Sequence, residues 1–418
     1  MLTLENSKTH TLVYPVIVLS LAAFFLFYKY VLQVFPSIIT QPLMQEFYLS
    51  GSGLGSLVAT FYYSYILVQL FVGILLDKYS IRRLTSGAIF CSALGLILFS
   101  KAETLLLASL ARIMMGAAVA FATVTYMKLA ADWFPPQQYA FVSGLLATAA
   151  MAGAVFGQAP LAWFITQFGW RSSLLGLGLL GLAFALLFYS IVRDVPRRLQ
   201  QQPSSTISLK AVYDVLRNRQ NWLLSFYSGL AFSPVAIFGG LWGNPFLEQA
   251  YLLSKTQAAS LISLVFVGLG LGAPLLGLLA EQLKKRRVVM LFSTLISTLA
   301  LILILNFQQL PLPFLAFLLF LFGFGLGSFM LVFAIAKDLN PYLTATVIAM
   351  INTSDALFDA LTEPLIGKIL DLGSKRIVGG VRQFSHDNYR LALIILPLYL
   401  LVGVFLLFWL KEPSKINR

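Results

Sequence analysis

Three carboxylates stand four residues apart in the stretch "NTSDALFDALTEPLIGKILD": Asp355, Asp359 and Glu363. At about 100° per residue a helix places them at roughly 0°, 40° and 80°, with Asn352 near 60° and Thr362 near −20°. They make one polar ribbon, and Ile348, Ile351, Ala356, Leu357, Phe358, Leu361 and Leu365 cover the rest of the surface. Such a ribbon cannot face lipid, since each acid at mid-membrane costs about 2.5–3.5 kcal/mol on insertion scales. It needs water, a proton or cationic partners. Close carboxylates repel one another when both are ionised, so one of them is suited to exchanging a proton. The alternative is structural: standing ion pairs with bases of neighbouring helices, Lys368 being within reach of Glu363.

The bases in comparably apolar settings are Lys29 in "FFLFYKYVLQVFP", Arg112 in "ARIMMG" and Lys128. Arg suits a carboxylate because its planar fork bonds it twice. Arg112 can instead hold a permanent ion pair, and Lys128, near the end of its apolar run, can snorkel to the surface. In "FYYSYILVQ", Tyr62, Tyr65 and Gln69 fall at roughly 0°, −60° and −20° on one helix face. Trp242 and Asn244 flank a Gly/Pro-interrupted point in "GLWGNPF". These residues are suited to orienting a solute, or equally to packing and interfacial belts.

The elements that must position these groups are set by composition. The 418 residues are 59% hydrophobic and only 11% charged, with a mean hydropathy of +0.85. A soluble chain carries about 25% charged residues. An all-α membrane protein is therefore expected, and runs of about 20 apolar residues mark its helices. Twelve such spans are predicted, at 12–38, 52–75, 84–100, 104–128, 138–165, 172–191, 221–247, 257–280, 288–306, 312–336, 343–370 and 389–410. No cleavable signal peptide is expected, because the first apolar run is too long and lacks a small-residue cleavage site.

The net charge of +13 suggests nucleic acid until its distribution is considered. With both termini in the cytoplasm, eighteen of the 29 Lys and Arg fall in inside loops and seven outside. That is the positive-inside bias of a cytoplasmic (inner) membrane protein, which argues against nucleic acid as a partner. The single Cys91 excludes an intrachain disulfide framework. His10 and His386 have no partner ligand in the sequence pattern, so no metal is expected. No catalytic triad or P-loop is present, and "GLGLG" at 268–272 lies within a span, where it signals close helix packing. Neither an enzyme nor a cofactor is expected, and ATP-driven transport is disfavoured.

The chain also repeats itself. "GILLDKYSIRR" (Gly73 to Arg83) returns as "GLLAEQLKKRR" (Gly277 to Arg287), which pairs Asp77 with Glu281 and Arg82-Arg83 with Arg286-Arg287. Pro160 and Pro364, and Gly169 and Gly373, share that offset, and Asp132 and Pro135 match Asp338 and Pro341 at nearly the same one. Duplicated six-helix halves give such an offset. The expected domains are an N-terminal bundle at 1–192, a cytoplasmic linker at 193–220 and a C-terminal bundle at 221–418. Within the linker, "SLKAVYDVLRNR" reads either as a short amphipathic helix on the membrane surface or as a solvated tether.

These motifs resemble the major facilitator superfamily across the whole chain. "GxLxDxxxxRR" between spans two and three, its second copy after span eight, "GWR" at Gly169–Arg171, "ARIMMG" at Ala111–Gly116 and "GLWGNPFLEQAYLLS" at Gly240–Ser254 carry the likeness. Within it the chain resembles the branch with lysosomal dipeptide carriers and bacterial amino-acid and organic-solute carriers. Ser80 departs from the Gly usual in the loop motif, and "GAVFGQAP" lacks the pattern of the antiporter branch. The resemblance implies the twelve-helix major facilitator fold and a central cavity lined by spans one, four and eleven. It implies a latch in which Asp77 pairs with a base and with the N-terminus of span eleven, with Arg82, Arg83, Glu281, Arg286 and Arg287 as its other members.

Lys29 and Arg112 then lie in one half and the acids in the other. A zwitterionic solute would bridge them, carboxylate to Lys29 or Arg112 and ammonium to Asp355 or Asp359. The expected function is a monomeric, proton-coupled symporter of a small zwitterionic or anionic organic solute, such as an amino acid or short peptide. The alternatives are an exporter of larger amphiphiles, such as a drug or siderophore, or a non-transporting sensor on the same scaffold.

Overall fold

The computed structural model describes residues 5–134, 136–194, 209–307, 310–340, 343–374, 377–378 and 381–411. Among the described residues, eleven helical runs are long and apolar enough to cross a bilayer. They are α1 (Val13–Ile38), α2 (Gly51–Lys78), α3 (Ile81–Ser100), α4 (Leu105–Trp133), α5 (Leu145–Phe168) and α6 (Trp170–Ile191). After these come α7 (Arg219–Tyr251), α8 (Lys255–Leu283), α9 (Arg286–Asn306), α10 (Leu312–Leu339) and α12 (His386–Leu407). The remaining long helix, α11 (Thr344–Gly373, 30 residues), is long enough to cross but carries the acid ribbon and Lys368. Among the described residues the one strand pairing is a two-stranded antiparallel one between α11 and α12, Ile377–Val378 with Val381–Arg382. In the expected linker, Leu209–Arg217 is helical and 195–208 lies outside the described residues.

Local sequence explains the helix ends. Ser50 caps α2 by accepting from the Gly53 N–H. Ser254 and Ser385 form capping boxes with Gln257 and Asn388. Ser80, the departure from the family loop pattern, does the same work for α3: its hydroxyl accepts from the Arg83 N–H and donates to Asp194. Gly169 turns α5 into α6 at φ +76°, a conformation glycine adopts without strain.

Among the closest helix pairs, α3 lies on α6, α2 on α4 and α1 on α5, while α8 lies on α10, α7 on α11 and α7 on α12. Three pairs join these sets: α2 with α11, α5 with α8, and α1 with α7. The α2–α11 seam is the tightest of them, because glycines let the backbones touch. A Cβ on Gly51 would stand 2.7 Å from the Gly367 carbonyl oxygen.

Two polar clasps close one end of the bundle. The Asp371 carboxylate of α11 accepts from the Gly51 and Ser52 N–H groups at the start of α2, both at 2.8 Å. A carboxylate there is favoured by the helix dipole. The Gln158 side chain, fully buried, donates to the Gly239 carbonyl at 2.7 Å and accepts from Asn244 at 2.7 Å. The basic loops lie at the other end. Their ion pairs, Lys128–Asp77 and Arg286–Asp338, both at 2.5 Å, each close within one set of helices.

Candidate functional site

Helix irregularities place the polar groups. Pro36 has no N–H to give the Leu32 carbonyl one turn before it, and α1 ends in a 3₁₀ turn at Phe35–Ile38. Arg112 of α4 takes that carbonyl at 2.8 Å and the Val58 carbonyl of α2 at 3.3 Å. Pro364 likewise leaves the Ala360 carbonyl free, and the Tyr63 hydroxyl donates to it across the α2–α11 seam at 3.1 Å. A π-turn at Phe238–Trp242 shifts the bonding of α7, and Gln158 takes the Gly239 carbonyl beside it.

The sequence candidates separate into two clusters. In the first, the Lys29 ammonium of α1 lies over the rings of Tyr30 (4.6 Å) and Tyr65 (5.0 Å). Asp359 and Asp355 of α11 are the opposite charges that act on it. None of these forms an ion pair within 4.0 Å among the described residues. The Ser228 and Ser233 hydroxyls of α7 lie beside Asp355 and Asp359, without closing a hydrogen bond of good geometry. One oxygen of each aspartate is left without a partner. Gln69, one turn beyond Tyr65, is buried with its side-chain oxygen likewise unpartnered. Asn352, a turn before Asp355, is half-buried.

The second cluster is Arg112, Glu363 and Tyr62. Glu363 is fully buried, neither of its oxygens has a hydrogen-bond partner, and Arg112 is its nearest opposite charge. Tyr62 is acted on by both charges, and its hydroxyl accepts from Gln33 at 3.4 Å. Exposure orders the clusters. Lys29 and Tyr65 are 7% exposed and Asp355 8%, Asp359 is 1% exposed, and Arg112 and Glu363 are at 0%. Accessibility thus falls along α11 from the basic-loop side toward the clasped end.

Several expectations change. The two Nη nitrogens of Arg112 bond to backbone carbonyls, so its fork is not turned to a solute. Trp242 and Asn244 are buried in the clasped end, where Asn244 donates to Ser37 and Gln158, so they do not join the Lys29 cluster. Lys368 is exposed and does not bond Glu363. Lys128 is no mere snorkel: it bonds Asp77 and, at 2.6 Å, the Leu76 carbonyl. Asp77 thus has its ion-pair partner, Lys128, within its own set of helices.

Arg82 bonds the Tyr189 carbonyl at 2.6 Å and Arg287 lies over the Phe408 ring. The Arg83 N–H is spent on Ser80, and Glu281 is solvent-exposed. The reading of sequence missed Tyr30, Ser228, Ser233, Gln33 and Gln158. Tyr30 was signalled by its place beside Lys29, whereas the serines carry no pattern that sets them apart from packing residues.

A family model described as Major Facilitator Superfamily matches residues 17–244 and 224–418, together most of the chain. The chain belongs to the Major Facilitator Superfamily. It is thus a multi-pass membrane protein of that superfamily. Among curated relatives, an uncharacterized transporter of Bacillus subtilis, YybO, is 29% identical over 161 residues, 38% of this chain and 37% of that one. A hexuronate transporter of the same organism is 22% identical over 263 residues, 59% of this chain and 60% of the relative. A probable L-galactonate transporter of Escherichia coli is 24% identical over 263 residues, covering 60% and 58%. The chain thus matches less than two thirds of the length of each.

Among solved structures, a bacterial homologue of the human lysosomal transporter Spinster, inward-facing and unoccupied, superposes with a TM-score of 0.77 at 15% identity. It covers 97% of this chain and 99% of that one. The nucleoside transporter NupG gives 0.73 at 15% identity, covering 95% and 99%. These likenesses show the fold.

Proposed function

We propose that this superfamily member is a proton-coupled secondary transporter, a symporter that moves a small zwitterionic or anionic organic solute by alternating access. One observation carries the reading. A buried lysine on α1 and two buried aspartates on α11 come from opposite sets of helices, act on one another electrostatically and form no ion pair among the described residues. Charges buried without ion pairs inside a membrane bundle are costly, and they mark solute or proton paths. The hexuronate and L-galactonate relatives fit a solute that carries an acid group.

In this reading α11 is the eleventh of twelve spans, and both termini lie on the cytoplasmic side of an inner membrane, with the basic loops. The halves are 1–192 and 221–418, joined through 193–220, and the transporter works as a monomer. The solute enters from the basic-loop side, where Lys29, Asp355, Tyr65, Gln69 and Asn352 meet it. Asp355 and Asp359 exchange the proton. Glu363, sealed against Arg112 and Tyr62, links proton occupancy to the α2–α11 seam. Asp77, Arg82, Arg83, Glu281, Arg286 and Arg287 act on closure of the basic end.

The test is uptake by purified protein in proteoliposomes, with a panel of amino acids, short peptides, sugar acids and amphiphiles and an imposed pH gradient. Accumulation of a small charged solute only when the gradient is present supports the reading. Gradient-independent equilibration of every solute taken up would overturn proton coupling.

A further inference from the structure

The Lys29 ammonium rests in surroundings built for an ammonium. It lies over two tyrosine rings, 4.6 Å from Tyr30 and 5.0 Å from Tyr65, and within the electrostatic reach of Asp359 and Asp355. Aromatic faces with carboxylates behind them hold organic cations by cation–π attraction, which strengthens when the site is desolvated. Yet Lys29 makes no ion pair within 4.0 Å, and Asp355 and Asp359, more than nine-tenths buried, each keep an unpartnered oxygen. The charges do not balance either, since one lysine faces two aspartates. A lysine that satisfied the site permanently would be expected to bond those oxygens.

We propose that the Lys29 side chain is a tethered stand-in for a substrate ammonium. The cage of Tyr30, Tyr65, Asp355 and Asp359 takes the primary or methylated ammonium of a small zwitterion. When that group enters, the Lys29 ammonium leaves the rings and bonds the carboxylate of the same molecule. In the exchange each cation has an anion to meet: the solute ammonium meets the aspartates, and Lys29 meets the solute carboxylate. A solute with only an acid group lacks the cation that displaces Lys29, so it binds poorly. The sealed Arg112–Glu363 pair, whose guanidinium is committed to backbone carbonyls, takes no part. This inference rests on the transporter reading and narrows its solute from zwitterion or anion to an ammonium-bearing zwitterion.

The test is equilibrium binding by calorimetry to the purified full-length protein in detergent, with glycine betaine, tetramethylammonium and gluconate as probes. For the native protein, glycine betaine should bind, tetramethylammonium weakly and gluconate not at all. Lys29→Ala empties the cage, so tetramethylammonium should gain about tenfold, the order of one or two desolvated cation–π contacts. Glycine betaine should lose affinity in the same variant, having lost its carboxylate partner. Adding Tyr65→Leu to Lys29→Ala should remove the tetramethylammonium gain.

A protein that unfolds on Lys29→Ala is replaced in the test by Tyr65→Leu alone, which should weaken glycine betaine by a similar factor. Native binding of gluconate that neither ammonium probe displaces, or no tetramethylammonium gain in folded Lys29→Ala, would overturn the proposal. Gradient-driven uptake of a sugar acid by the same protein would leave the transporter reading standing while this one fell. Ammonium binding without any transport would do the reverse.

Discussion

The Arg112 guanidinium donates to the Leu32 carbonyl over 2.8 Å, and Pro36 is what leaves that carbonyl available. A second bond, to the Val58 carbonyl, ties α4 to both α1 and α2, and the guanidinium also lies 4.6 Å from the Phe61 ring. The residue that looked most like a carboxylate fork in sequence is spent on joining three helices. Glu363 supplies its counter-charge from α11.

Arg112→Ala should therefore act first on stability. It removes two charge-assisted bonds and strands Glu363, a change of about 2–4 kcal/mol for buried charged partners. Thermal unfolding in detergent should show a clear drop, and Glu363→Gln in the same chain should recover part of it, as coupled neighbours do. An unchanged melting curve with lost solute affinity would put Arg112 back in the binding site.

The clasped end offers a second check. Asp371→Asn keeps an acceptor for the start of α2 but loses the charge that the helix dipole favours, worth about 0.3–1 kcal/mol. Tyr63→Phe removes the bond to the Ala360 carbonyl, worth about 0.5–1.5 kcal/mol. Both contacts cross from α2 to α11, so together they should shift the population toward a state separated at this end. Spin labels at Tyr48 and Leu372, both well exposed near that end, would report a longer distance. An unchanged distance distribution in the double variant would show that these bonds do not hold the end shut.

At the basic end, Asp77 is 71% exposed and bonded to Lys128. An exposed pair contributes little to stability, typically below about 1 kcal/mol. Asp77→Asn should leave the melting temperature and solute affinity nearly unchanged and slow turnover, since the loop can affect only the interchange of states. Lost equilibrium binding with normal turnover per bound solute would contradict a gating role.

The membrane helices were legible because lipid allows only helices and closed barrels, and a spanning helix leaves an apolar run of about 20 residues as its trace. The division into halves rests on the repeated loop motif, Gly73 to Arg83 and Gly277 to Arg287. Partners within the bundle were not. Lys29 was visible as a buried base, but the rings beneath it depend on which face of α2 turns inward. The bonds of Arg112 to backbone carbonyls were not legible, since Pro36 frees the Leu32 carbonyl at a distance in sequence that no side-chain pattern records. Trp242 and Asn244 were drawn to the solute by the helix break they flank. That break, a π-turn, serves the clasp with Gln158 and Ser37.

Asp355 and Asp359 decide the coupling. They stand one turn apart on α11, share the Lys29 ammonium as nearest cation and leave one oxygen each without a partner. Two ionised carboxylates in that position would face both desolvation and mutual repulsion, so one proton or one solute cation must be present through much of the cycle. Asp355→Asn and Asp359→Asn should each abolish accumulation driven by a pH gradient. At least one of them should still exchange solute across the membrane without a gradient, because exchange needs no net proton movement. Driven uptake and counterflow in the same proteoliposomes separate the cases. Normal accumulation in both variants would return the ribbon to a packing role. Loss of both activities in folded protein would instead make the aspartates ligands of the solute ammonium, with the proton carried elsewhere, Glu363 being the remaining buried acid on the ribbon.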